Sequence, residues 1–192
     1  MKLYKHNRGY TIIETMIAVS VFLVVVTAGT GALLNANNLH QKSQDLRSIL
    51  DSMSFIMEDM SRNLRTGYNY RCITNSDFTN LSTSLSCASG KAIAFREGIT
   101  NAQWVYKIET LDGGATYNIS RSTDGAATWT QFNPPEVVIN SISAFSVLGA
   151  EALPGDTQQP FVTIKLAGKI TFKGIDTPFS MQTSVSQRII DI

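Results

Sequence analysis

The sequence predicts an α+β protein: a long N-terminal helix, membrane-spanning in its first half, packed on an antiparallel β-sheet domain. Three observations predict it. Tyr10 to Leu39 is an apolar run in which Glu14 is the only charge. From Leu46 to Leu64 the apolar residues fall three and four apart, as one face of a helix requires. From Lys91 onward the apolar period becomes two, the period of a half-buried strand. The expected organisation is a leader at residues 1–9, a membrane helix at 10–40, its continuation outside the membrane at 41–66, and a β domain at 67–192.

Lys2, Lys5 and Arg8 form a short basic start that ends at Gly9. A secretory signal begins the same way, but its apolar core is about 7–15 residues long and a small-residue cleavage site follows it. Thr15 to Leu39 is roughly 25 residues, about 37 Å as a helix, and crosses a hydrocarbon core of about 30 Å. Basic residues before the run and Lys42 only after it place the N-terminus in the cytoplasm and the rest outside. Glu14 is what a plain anchor leaves unexplained. A carboxylate inside an apolar membrane segment costs a few kcal/mol unless it is paired or neutralised. The plainer alternative is that Glu14, so near the start of the run, reaches the headgroup region.

Arg8-Gly9-Tyr10-Thr11-Ile12-Ile13-Glu14 resembles the signal of type IV prepilins and type II secretion pseudopilins. That family has a short basic leader ending in Gly, then an aromatic residue or Met, then an apolar stretch with Glu fifth after the cut. Tyr10 stands where Phe is commoner. The resemblance implies cleavage between Gly9 and Tyr10 by prepilin peptidase and methylation of the new amine on Tyr10. It implies subunit assembly through Glu14, paired with the amine of a neighbouring subunit; pairing within one chain is the alternative. The implied partners are other pilin or pseudopilin subunits, an inner-membrane assembly platform, and membrane lipid before assembly. Apolar helices would form the filament core and the sheet domains its coat. Many pilins carry a helix-breaking Pro in this segment, and this chain has none. Gly29 and Gly31 each weaken a helix by about 1 kcal/mol relative to Ala. They mark Thr27 to Gly31 as the expected hinge, with close packing through small residues as the alternative.

The outer helix carries its stripe at Leu46, Ile49, Leu50, Met53, Ile56, Met57, Met60 and Leu64, with Gly67 as its C-cap. Tyr68 to Gly90 reads as a loop rich in Ser, Thr and Asn. Cys72 and Cys87 bracket it on the outer side of the membrane, where an even count reads as one disulfide; two reduced thiols are the alternative. Strands are expected at Ala92–Arg96, Gln103–Thr110, Ala115–Ser122, Ala127–Phe132, Val137–Leu148, Phe161–Phe172 and Phe179–Ile189. Turns fall at Asp112-Gly113-Gly114 and Asp124-Gly125, a break near Asn140-Ser141, and a bend at Gly168.

Sixteen basic and fifteen acidic residues leave a net charge of +1 and give no support for nucleic-acid binding. His6 and His40 sit in no catalytic constellation, and no nucleophile elbow, phosphate loop or zinc signature occurs. Asp112 and Asp124 are turn residues without calcium-loop spacing. The sequons at Asn80 and Asn118 are read as chance, and Trp104 and Trp129 as sheet packing. The expectation is thus no enzyme, no cofactor and no metal. The chain reads as a minor pilin or pseudopilin of a type IV pilus or type II secretion pseudopilus. A major pilin of an adhesive or motility filament, or an uncleaved single-pass extracytoplasmic binding protein, is the alternative.

Overall fold

The computed structural model describes residues 9–75, 77–111, 116–151, 157–172 and 175–188. The basic leader residues, His6, the Asp112-Gly113-Gly114 turn and Ile189 lie outside the described residues. Two compact units make up the chain, Met1–Asp45 and Leu46–Ile192. Helix α1, Ile12–Thr66, contributes to both.

Within the first unit α1 buries nothing. Ile12, Phe22, Val24, Leu33 and Leu34 are all exposed, and the helix is long and apolar enough to cross a membrane. An apolar surface this continuous is stable only out of water.

Within the second unit α1 is one-sided. Met53, Ile56, Met57, Met60 and Leu64 are buried, and Leu46 and Ile49 pack against them. Leu50, expected on the stripe, lies at its edge and stays 40% exposed. The helix stops where Gly67 donates its N–H to the Asn63 carbonyl at 2.9 Å. A Cβ on Gly67 would sit 2.5 Å from the Phe95 ring, so this glycine supplies room for the sheet.

Among the described residues ten strands follow in one sheet: β1 Tyr68–Ile73, β2 Cys87–Gly90, β3 Ala92–Arg96, β4 Gln103–Leu111, β5 Thr116–Ser122, β6 Thr130–Gln131, β7 Val137–Ile139, β8 Ala144–Leu148, β9 Phe161–Phe172 and β10 Ile175–Ser186. The paired order is β1-β3-β4-β5-β7-β9-β8-β2, with β6 on β5 and β10 on β9. A parallel bridge between Arg71 and Leu85 brings the path back to β1. Every named strand pair is antiparallel.

The reading of Tyr68–Gly90 as a loop is corrected at both ends, where β1 and β2 form. Tyr70, Cys72 and Ile73 are buried, and Asn69 relieves an irregular register with a φ of 57°. The strand after the Asp124-Gly125 turn shrinks to Thr130–Gln131, because Asp124 holds Thr128 in the turn. β10 begins earlier than expected, at Ile175. Gly168 does not interrupt β9. β9 is continuous through it, and its missing side chain admits the Val138 carbonyl, which a Cβ would meet at 2.2 Å.

The expected break at Asn140-Ser141 separates β7 from β8, which lie end to end along β9. Ser143 fills the gap: its hydroxyl donates to the Ala167 carbonyl and accepts from the Ala167 N–H, both at 2.9 Å. Lys91 donates to the Ser141 and Ser143 carbonyls from the other side, and burial pushes its pKa down.

One core holds the α1 stripe together with Phe95, Tyr106, Ile119, Ile139, Phe145, Ile164 and Leu166. Tyr106 stacks between Phe95 (5.7 Å) and Phe132 (6.1 Å). A smaller cluster on Ile73, Ala92, Ala94 and Val105 is roofed by Phe78, Leu81, Ala126 and Trp129. Trp104 and Trp129 thus pack in different clusters. Asn118 is buried and bonded to Asn133, which leaves it no room for a glycan.

Cys72 and Cys87 are joined as a disulfide with Cα atoms 5.7 Å apart, an ordinary span for this bond. The chain-entropy model assigns closure of a loop this size about 3 kcal/mol. Replacing both cysteines by Ser is expected to lower unfolding stability by about that amount in denaturant titration and to open residues 74–86 to protease. An unchanged midpoint and cleavage pattern would overturn that expectation.

The Asp124 carboxylate accepts from the Thr128 hydroxyl and N–H and from the Ser122 hydroxyl, which lowers its pKa to about 2. A carboxylate depressed in the fold stabilises it above the ordinary value near 4, and that contribution is lost as pH falls towards the folded value. Trp129 emission is expected to hold steady through pH 4 and to shift as the pH approaches 2; Asp124→Asn should remove the acid transition in this turn.

Candidate functional site at the helix N-terminus

Gly9 and Tyr10 precede the helix and are exposed, Tyr10 at 82%. A Cβ added to Gly9 would meet nothing within 4 Å, so nothing inside the described chain requires glycine here. Any requirement for it comes from a partner that approaches the backbone.

Thr11 caps the helix. Its carbonyl accepts from the N–H groups of Glu14 (3.1 Å) and Thr15 (3.2 Å), and its hydroxyl accepts from the Glu14 N–H at 3.3 Å. With Thr11 as N-cap, Glu14 is the third helical residue. Thr11-Ile12-Ile13-Glu14 therefore has the spacing of a capping box, of which the Thr11 half is formed. From the sequence Glu14 stood out as the charge in an apolar run with an implied assembly role, but not as part of a helix cap. The signal was present: Thr, then Glu three residues later, before an apolar run. A carboxylate in the first turn also lies at the positive end of the helix dipole, worth about 0.3–1 kcal/mol at an exposed site.

The remaining Ser and Thr hydroxyls of the run bond back to carbonyls of their own helix. Thr15 donates to the Ile12 carbonyl, Ser20 to Ile17, Thr27 to Leu23 and Val24, and Thr30 to Val26 and Thr27. That removes the penalty of bare hydroxyls in an apolar medium and leaves Glu14 as the run's one charge. The helix is continuous through Gly29 and Gly31, and a Cβ at either would meet nothing. His40 contacts Gln44 one turn on, at 3.1 Å.

The structure thus brings Gly9, Tyr10, Thr11 and Glu14 together within two turns of chain. Cys72 and Cys87 belong to the second unit. Among the described residues no three His, Cys, Asp or Glu side chains cluster as a metal site.

No curated protein and no solved structure matches the chain. A family does match: the prokaryotic N-terminal methylation motif, over residues 4–30. The matched stretch contains the exposed Gly9–Tyr10 bond, the Thr11 cap and Glu14, and it points to a structural subunit. Over residues 4–30, this chain carries the signature of type IV pilins and pseudopilins.

Proposed function

We propose that the chain is a minor pilin or pseudopilin, cut by prepilin peptidase between Gly9 and Tyr10 and assembled through its N-terminal helix. The observation that carries the reading is the methylation motif at residues 4–30, set on an exposed glycine and a capped apolar helix. Hydrolysis of the Gly9–Tyr10 bond leaves a carboxylate on Gly9 and an amine on Tyr10, and methylation of that amine keeps it basic. The basic leader holds the N-terminus in the cytoplasm before cleavage, with residues 10–40 in the membrane and residues 41–192 outside. The inner-membrane assembly platform then moves the subunit from lipid into a filament of other pilin or pseudopilin subunits. Thr27 to Gly31 is the segment that bends or stretches there, since two glycines lower the helix's resistance by about 2 kcal/mol.

In a filament interior an unpaired Glu14 carboxylate or Tyr10 amine would each cost several kcal/mol, and a pair offsets much of that. Placing the amine on a neighbouring subunit makes the pair an axial register mark.

Leader removal is tested by mass spectrometry of filament-associated protein. Chains beginning at Tyr10 are expected from the wild type, and a retained leader from Gly9→Leu. Wild-type filaments holding intact residues 1–9 would overturn the reading in favour of an uncleaved anchor.

Glu14→Gln separates charge from cap, because Gln also suits the third position of a capping box. The variant is expected to insert and be cleaved but to fail to co-purify with the major subunit. Thr11→Ala, which removes the cap at a cost of about 1 kcal/mol and keeps the charge, should still be incorporated. Normal incorporation of Glu14→Gln would reduce Glu14 to a capping residue.

A further inference from the structure

We propose that the free edge of β10 accepts an extended acidic segment of another polypeptide, held by strand pairing and by an arginine-lined cleft at the end of the edge. The proposal does not depend on leader cleavage or on Glu14.

The open edge follows from the register. Among the described residues β10 pairs only with β9, without a shift from Ile175↔Phe172 to Ser186↔Phe161. Just past it the Gln187 N–H donates to the Pro160 carbonyl at 3.0 Å, which fixes the phase. In an antiparallel ladder, residues bonded to one neighbour alternate with residues turned away from it. Thr177, Phe179, Met181, Thr183 and Val185 therefore bond to β9. Ser180, Gln182, Ser184 and Ser186 turn their N–H and C=O groups outward. Pro178 provides an independent check: it falls in the outward phase, the one place in this strand where a missing N–H breaks no ladder bond.

Edge strands are usually blunted by charge, Pro or bulges. Here Asp176 and Pro178 guard the first half, while Phe179 to Ser186 has neither charge nor Pro. The same half carries an unfinished apolar shelf. Phe179, Met181 and Val185 are half-buried against the core, and their open sides line the edge. A strand laid beside β10 would extend the sheet by one and cover them.

Charge selects the occupant. Where β10 ends, a cleft of about 510 Å³ opens between Val185 and the last turns of α1. Arg62, Arg65 and Arg188 line it against one carboxylate, Glu58. Arg62 meets Glu58 at 3.4 Å, with both side chains largely exposed. Neither Arg65 nor Arg188 has an ion-pair partner among the described residues. Their backbones are tied together, the Arg188 N–H donating to the Arg65 carbonyl at 2.9 Å. Two guanidinium groups held at the end of an open edge suit carboxylates at the end of an incoming strand.

The test uses the full chain in detergent micelles and a labelled seven-residue peptide of alternating valine and threonine ending in two glutamates. The reference peptide ends in two glutamines. The glutamate peptide is expected to bind at least about tenfold more tightly by fluorescence anisotropy, with the preference shrinking as salt rises. Arg65→Glu combined with Arg188→Glu should abolish the preference. Ser184→Pro, which removes an outward N–H, should weaken both peptides. Hydrogen exchange at residues 180–186 in the wild type should slow on peptide binding, a readout that needs no variant to fold. Equal affinity for the two peptides would overturn the proposal, as would inorganic phosphate binding in the cleft while the peptide leaves the edge amides unprotected. Concentration-dependent self-association that protects residues 180–186 without peptide would assign the edge to a second copy. Peptide binding only in a chain cut after Arg188 would assign it to the chain's own residues 189–192. Either result overturns the proposal.

Discussion

The β domain depends on how the buried C-terminus of α1 is satisfied. A helix end leaves its last carbonyls without intrahelical donors, and burying them bare costs about 1–3 kcal/mol each. Here the Asn63, Leu64 and Arg65 carbonyls each find a donor. The Arg62 and Asn63 carbonyls accept from the Thr66 hydroxyl, and Asn63 also accepts from the Gly67 N–H. Leu64 accepts from the Tyr70 hydroxyl and Arg65 from the Arg188 N–H. Three of the donors come from outside the helix: Gly67 just after it, Tyr70 in the first strand and Arg188 just after the last. Strand order is thereby tied to one turn of helix, and burial of the Tyr70 hydroxyl pushes its pKa well above the usual phenol value.

Packing then follows from the same turn. Leu64 and Met60 are fully buried, each such side chain contributing about 1.5–3 kcal/mol relative to exposure. Asn63, between them on the helix, donates to the Tyr106 hydroxyl at 3.1 Å and to Asp59 at 3.2 Å. Arg121 reaches Asp59 at 3.5 Å and lies 4.8 Å over the Phe132 ring. A polar row therefore runs beside the apolar stripe and fixes the rotation of the helix on the sheet, which an aliphatic stripe alone leaves loosely set. The guanidinium bridging carboxylate and aromatic ring explains why Arg121 sits on an otherwise neutral strand.

Periodicity made most of this fold legible. The stripe from Leu46 to Leu64, the two-residue alternation of β4, β9 and β10, and the break after Ile139 each rest on local pattern, and the structure has all of them. What escaped depends on neighbours distant in sequence. Tyr68, Tyr70 and Cys72 alternate with Asn69 and Arg71, but the surrounding Ser and Asn hid a strand whose partner is β3. Ala127 to Phe132 looked like a strand because of Trp129; the Asp124 bonds to Thr128 outcompete the ladder there. The last strand was expected to start at Phe179, but it starts at Ile175 and takes in Pro178, which an edge strand tolerates; edge status is a property of topology. At the N-terminus the cleavage-site residues were legible as a motif, while the Thr11 cap is masked by the apolar run that follows it.

Under the proposed assembly, the Glu14 charge would carry two demands that one residue meets in turn. In a lone chain the first-turn N–H groups and the helix dipole favour a carboxylate at Glu14, so its presence in an apolar run is partly compensated before any partner arrives. In the assembly proposed above, a partner amine would compete with that compensation, and its gain would be the pair energy minus what the helix dipole already supplies. Thr11 keeps the difference favourable, because it holds the Glu14 N–H with its own carbonyl and hydroxyl whatever the carboxylate does. The helix start survives a reorientation of the Glu14 side chain, and the carboxylate is free to leave the first turn at little cost to the backbone. A sequence with Glu14 but a poor cap at position 11 would have to choose between a frayed helix and an unpaired charge. The Thr-Ile-Ile-Glu order removes that choice.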